Sequence, residues 1–364
     1  MLPGIFPPLP NSMSLIKQEL KAVQLCGSKI PPGKKVQAML TFVHLLKARK
    51  QPTLWHQLKD KDMKKVILAL GLLFILISGN NGYAQGKKVS SPAARAEFVE
   101  VDKNVLLHVT DLGEGQPIVL IHGWPLSDAM YEYQYQYLVR KGFRVVGISL
   151  RGFGKSSKPN GRYDFDVFSD DIKTVLEKLK IENATLGGFS MGGAVVLHYI
   201  TKYNSAHINK LALFGAAAPS WKQRSDYPYG ITDEGAAGII KSTLTAREDL
   251  IAGLGAVFPA KEGAISKNVE KWLETMNLEA SPYAVTESIT ALRDLDLRPE
   301  LSKIKIPVAI FHGAQDKLCD FVFAEQLKKG IKNSYLVKFE NSGHALFIEE
   351  MEKFNTELEK FARS

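Results

Sequence analysis

Residues 184–194 read Ala-Thr-Leu-Gly-Gly-Phe-Ser-Met-Gly-Gly-Ala, and the architecture of the chain turns on this stretch. Ala184–Leu186 has strand character, and Met191–Tyr203 has the pattern of a helix. Between them stands Gly188-Phe189-Ser190-Met191-Gly192, a G-x-S-x-G motif. The motif alone arises by chance in many chains. Its setting gives it meaning, because a serine on a sharp strand-to-helix turn is lifted clear of the sheet. The glycines permit the tight turn, and the helix N-terminus favours negative charge developing beside the serine.

The same alternation extends in both directions. Pro117–Ile121 (PIVLI) is an unbroken apolar run, as expected of a strand buried on both faces. Glu97–Asp102 and Val105–Thr110, separated by Lys103-Asn104, predict a hairpin. Arg144–Ile148, Ile208–Phe214, Pro307–Phe311 and Tyr335–Phe339 are further strand candidates. Phe168, Ile172, Val175, Leu176 and Leu179 fall on one helical face. Phe347, Met351, Phe354, Leu358 and Phe361 predict one amphipathic helix closing the chain. Strands alternating with helices predict an α/β fold, a mostly parallel eight-stranded sheet with helices on both faces. From Pro219 to about Leu301 strand patterns are missing, which predicts a mainly helical cap inserted over 219–301. Trp221, Tyr227, Tyr229, Phe258 and Trp272 of that insertion are candidates either for an acyl pocket or for packing within the cap.

A serine hydroxyl is a poor nucleophile until a base takes its proton. His344, in Asn341-Ser342-Gly343-His344-Ala345, lies between the last strand and the last helix and is the candidate base. Its imidazole needs an orienting carboxylate. Asp316 follows the strand Pro307–Phe311 closely enough to supply one; Asp320 competes for the role but sits where it would cap the next helix. Ser190, Asp316 and His344 all fall at carboxyl ends of strands, where open α/β sheets place their sites. His122-Gly123-Trp124-Pro125 follows the third strand, so the N–H groups of Trp124 and Met191 are candidate oxyanion donors. His122 reads as structural, since one base suffices.

These segments carry a resemblance. HGWPLSDAMYEYQ, LRGFGKSSKP, GFSMGG, DLRPEL, FHGAQDKL and SGHALF, over about residues 97–363, resemble the bacterial aryl-esterase and non-haem haloperoxidase (perhydrolase) branch of the α/β-hydrolases. The resemblance implies the α/β-hydrolase fold, a catalytic triad of Ser190, Asp316 and His344, an oxyanion hole at Trp124 and Met191, and no cofactor. It implies hydrolysis of small carboxylic esters, with perhydrolysis as the alternative: peroxide captures the acyl-enzyme and yields a peracid. Pro125, which restricts the Trp124 backbone, is a feature shared with such perhydrolases. An intact triad argues against a non-catalytic receptor of the same fold. Two departures stand out. Family members usually carry Asp where this chain has Ser149, and often Pro where it has Cys319.

Composition narrows the rest. The chain has 364 residues, 45% of them hydrophobic, with a net charge of +9. Residues 1–84 hold 12 of the 47 basic residues but 3 of the 38 acidic ones, so the excess lies wholly in that segment. The remainder is balanced and has no electrostatic footprint for nucleic acid. Two cysteines, Cys26 and Cys319, provide neither a disulfide framework nor a Cys-rich metal site. Met63-Lys64-Lys65, the apolar run Val66–Ile77 and the small residues up to Ala84 predict a signal peptide over 63–84 and a periplasmic or secreted protein. Twelve apolar residues rise about 18 Å as a helix, short of a bilayer core of about 30 Å, so no stable membrane span is expected in the mature form. Met63 is the expected start of translation, residues 1–62 an upstream extension rather than a domain, 85–96 a linker, and 97–364 the hydrolase domain.

Overall fold

The computed structural model describes Arg95 and residues 97–364, within a compact unit spanning Pro92–Ser364. The upstream extension, the signal peptide and most of the linker lie outside the described residues.

Eight strands form one sheet: β1 (Phe98–Asp102), β2 (Val105–Leu112), β3 (Pro117–Ile121), β4 (Arg144–Ile148), β5 (Ala184–Phe189), β6 (Ile208–Phe214), β7 (Val308–Gly313) and β8 (Ser334–Phe339). Their order is β1-β2-β4-β3-β5-β6-β7-β8. β2 runs antiparallel to β1 and β4, and every pair from β4 to β8 is parallel. Side chains alternate along a strand, so each central strand feeds two cores. Val119, Ile121, Val146, Ile148 and Leu186 face one; Ile118, Leu120, Val145, Ala212 and Phe311 face the other.

The first core is closed by α2 (Phe165–Lys178), α3 (Met191–Lys202) and α8 (Val322–Gly330), and the second by α1 (Glu132–Arg140) and α10 (Met351–Arg363). The cap inserted between β6 and β7 contains α4 (Asp233–Thr245), α5 (Arg247–Val257), α6 (Lys267–Glu279) and α7 (Pro282–Asp294). Three of these start on a side-chain cap, at Thr232, Ser266 and Ser281, each accepting from the N–H three residues on. Among the described residues no helix is long and apolar enough to cross a membrane.

Strand ends shift by one or two residues from the sequence expectation, as at β2 and β7, and two elements differ by more. β5 continues three residues past Leu186, through Gly187 and Gly188 to Phe189, because it pairs on both sides, with β3 and with β6. Glycine weakens the strand signal, yet at position 187 a Cβ would lie 2.8 Å from the Phe214 ring. The expected closing helix is two helices, α9 (Leu346–Glu349) and α10, broken at Glu350 (φ −119°, ψ 50°). The break leaves consecutive carboxylates free to bind other backbone. Glu349 accepts from the N–H groups of Ala260 and Gly343, and Glu350 from Asn341 N–H and the Ser342 hydroxyl. Both therefore hold the loop that carries His344.

Candidate active site

Ser190 sits between β5 and α3 with φ 53° and ψ −119°, a conformation that L-residues avoid unless the surroundings impose it. The surroundings here are backbone. Ser190 N–H donates to Phe214 O (2.9 Å), and its carbonyl accepts from Gly193 and Ala217. The motif glycines make room. A Cβ on Gly188 would lie 2.3 Å from Gly192 O, and one on Gly192 would lie 2.3 Å from His122 O.

His344 Nδ1–H donates to Asp316 Oδ2 at 2.6 Å, with side chains 4% and 0% exposed. An ionised Asp316 only accepts, so the proton sits on Nδ1 and Nε2 is left as the acceptor. Asp316 Oδ1 accepts from Leu318 N–H and Cys319 N–H, both at 2.9 Å. Burial alone would raise its carboxyl. The charge and hydrogen bond of His344, with His312 and the Cys319 amide, outweigh burial and hold it below the ordinary value. Asp320 is exposed and accepts from Val322 N–H at the head of α8, and among the described residues it makes no hydrogen bond or ion pair with His344. The His344 ring is fixed by Phe189, 4.6 Å away between centroids, and by Phe258 at 5.5 Å.

The oxyanion candidates stand open. Neither Trp124 N–H nor Met191 N–H donates to an acceptor within the described residues. The Trp124 indole Nε1–H donates to Val285 O of α7 (2.9 Å), tying this loop to the cap. His122 Nδ1–H donates to Gly123 O, and Nε2 accepts from Leu150 N–H. Both ring nitrogens are thus consumed by backbone, and burial lowers its pKa to about 4. It is a structural residue.

Ser190, Met191, Trp124, Pro125 and His344 line a cavity of about 740 Å³ beneath the cap. Among the described residues Ser190 and His344 are not hydrogen-bonded to each other, and Cys319 lines the cavity beside them. Such contacts commonly tighten only when substrate binds. Of the five cap aromatics, Trp221 and Phe258 reach the cavity. Tyr227 instead packs on Tyr229 and under Arg298, and Trp272 packs against the second core. Ile231, Ile239, Ile251, Ile289 and Leu292 form an aliphatic wall, and Glu270, Glu274 and Lys317 also line the cavity.

The sequence profile of the alpha/beta hydrolase fold matches residues 116–351. The AB hydrolase superfamily protein YisY of Bacillus subtilis is 43% identical over 267 residues, 73% of this chain and 99% of that one. The chain belongs to the α/β-hydrolase family. Among solved structures, an esterase from Exiguobacterium antarcticum superposes on this hydrolase with a TM-score of 0.72 at 39% identity, covering 74% of this chain and all of the other. A bromoperoxidase from Bacillus anthracis does so with a TM-score of 0.71 at 32% identity, over 73% of this chain and 99% of that chain.

Several residues that support this hydrolase's site escaped sequence reading. His312, fully buried, donates from Nε2 to Cys319 O (2.7 Å) and lies 3.5 Å from Asp316 Oδ2. Its place in the segment FHGAQDKL was the only signal. Asp128 likewise had only its place in HGWPLSDAMYEYQ, since nothing local marks it as buried; its carboxylate lies within reach of four side-chain donors from three separate segments.

Proposed function

We propose that the protein hydrolyses carboxylic esters through an acyl–Ser190 intermediate. The observation that carries this reading is the strained Ser190 at the head of α3, opening on the same cavity as a histidine whose other nitrogen is held by a buried aspartate. Ser190 Oγ attacks the ester carbonyl carbon as His344 Nε2 takes its proton. The carbonyl electron pair moves onto oxygen, where the N–H groups of Trp124 and Met191 donate hydrogen bonds to the oxyanion. The intermediate collapses, and His344 returns the proton to the departing alcohol. Water then repeats the sequence on the acyl-enzyme and releases the acid. Asp316 stays ionised and stabilises the imidazolium. The aliphatic wall suits an uncharged acyl group.

The likeness to a bromoperoxidase favours perhydrolysis as a second activity of the same site. Hydrogen peroxide would replace water in deacylation and leave as the peracid, with the proton again passing through His344.

Ser190→Ala is expected to lower turnover of p-nitrophenyl acetate by several powers of ten and to abolish fluorophosphonate labelling. Wild-type turnover and labelling in that variant would remove Ser190 from the reaction. Adding peroxide to the wild-type assay reads peracid directly; none above background leaves hydrolysis alone.

Export follows from the pattern over Met63–Ala84, and the mature protein is expected to begin near Gln85 in the periplasm or outside the cell. N-terminal sequencing of protein from its source cells checks this. An intact Met1 or Met63 on cytoplasmic protein refutes it.

A further inference from the structure

We propose that Asp128 is a positioning residue for the oxyanion loop, and that it acts as a matched pair with Ser149. The proposal rests on the reading of Trp124 N–H as an oxyanion donor.

Residues 123–127 bridge two anchors. At the near end, His122 Nε2 accepts from Leu150 N–H at 3.0 Å. At the far end, Ser149 Oγ donates to Asp128 Oδ1 at 2.5 Å and accepts from Asp128 N–H at 3.2 Å. Both anchors thus fall on consecutive residues just beyond β4. The Asp128 carboxylate is buried and further held by β2, through His108 Nδ1 (3.0 Å) and Thr110 Oγ1 (2.6 Å), and by α1, through the Tyr135 hydroxyl (3.2 Å). The Tyr135 hydroxyl has one proton and shares it, lying closer to Asp128 O at 2.8 Å than to the carboxylate, so it bridges backbone and side chain. A network this fully satisfied has one arrangement, and it sets where the loop leaves the sheet. Between the anchors lies Trp124, whose N–H must point at the developing oxyanion to be useful.

The network also favours a hydroxyl at 149. The Ser149 hydroxyl matches Asp128 on both sides, accepting from its N–H and donating to its carboxylate. An aspartate at 149 would instead press a second carboxylate onto the first in a buried site, where like charges cannot both stay ionised. Asp128 and Ser149 therefore behave as a matched pair, and the acid belongs at one of the two positions.

The test compares Asp128→Asn, Ser149→Asp and the exchanged double variant Asp128→Ser with Ser149→Asp, using p-nitrophenyl acetate and a trifluoromethyl ketone that forms an oxyanion adduct on Ser190. Thermal midpoints are measured alongside. Losing an oxyanion donor outright costs about a hundred- to thousandfold, so a displaced one should lower kcat about ten- to a hundredfold. Asp128→Asn is expected to do this with KM little changed and ketone affinity falling in parallel. Ser149→Asp should fall at least as far, and the exchanged double variant should recover above either single change. A folded Asp128→Asn with wild-type kcat, or a double variant no better than the worse single one, overturns the proposal. Should Asp128→Asn fail to fold, Ser149→Ala keeps the charge and removes one donor: lower kcat at constant KM supports the proposal, and unchanged kcat overturns it. A wild type that turns over no ester sinks the reading of the site and this proposal with it. An active wild type with indifferent variants sinks the positioning role alone.

Discussion

Asp316 holds His344 through one oxygen and is itself held through the other, by the N–H groups of Leu318 and Cys319. Proline, frequent at the position of Cys319 in the branch this chain resembles, has no N–H to give. The cysteine therefore supplies a second amide to the carboxylate. Its thiol is pushed well above the ordinary value by burial and by the Asp316 charge, with the Ser190 hydroxyl partly opposing, which disfavours the thiolate form. A hydrogen bond to a charged group contributes about 1.5–3 kcal/mol. Cys319→Pro should lower stability by about that much and slow turnover, whereas Cys319→Ala, which keeps the amide, should lose less of both. Denaturant midpoints and kcat for the pair decide it, and equal effects would place the role in the thiol.

The first turn of α3 lies against the end of β3, and position 192 is where the two backbones meet. A Cβ there would lie 2.3 Å from His122 O and 2.7 Å from Ile121 O, neither of which is a flexible side-chain end. Gly192→Ala must therefore push α3 away from β3, carrying Met191 N–H with it. The expected outcome is loss of activity by at least about a hundredfold, the scale of one lost oxyanion donor, with circular dichroism still showing a folded protein. Near-normal activity in Gly192→Ala would mean that the helix start is not tightly placed. On the other side of the site, the break at Glu350 aims Glu349 and Glu350 into the His344 loop, so both sides are set by backbone contacts between elements.

Burial of ionisable groups in their neutral form makes the fold depend on pH. His122 has a folded pKa of about 4 against an ordinary 6.5, and burial lowers that of His312 as well. Between those values the unfolded chain binds protons that the folded chain refuses, so stability rises with pH across the window. The His122 contribution is fully present above pH 6.5 and is lost as pH falls toward 4; at about 1.4 kcal/mol per unit it is on the order of 3 kcal/mol. Urea midpoints at pH 7 and pH 5 should fall in the wild type and fall less in His122→Asn. Parallel falls would show that His122 does not carry the dependence.

The motif around Ser190, the chain order of Ser190, Asp316 and His344, and the eight strands were legible in sequence because each rests on local pattern. Apolar runs mark buried strands, glycines mark a forced turn, and catalytic side chains sit at strand ends. The choice between Asp316 and Asp320 was weighed from position, and the 2.6 Å contact with His344 singles out the first. What no local pattern held was the support around the site. Asp128 meets Ser149, Thr110 and His108 across separations of about twenty residues, and the Trp124 indole meets Val285 across 161. Local periodicity reports which face of an element is buried but not what packs against it. The partners of a buried polar group are chosen by the tertiary fold, since only there does leaving water cost enough to require them.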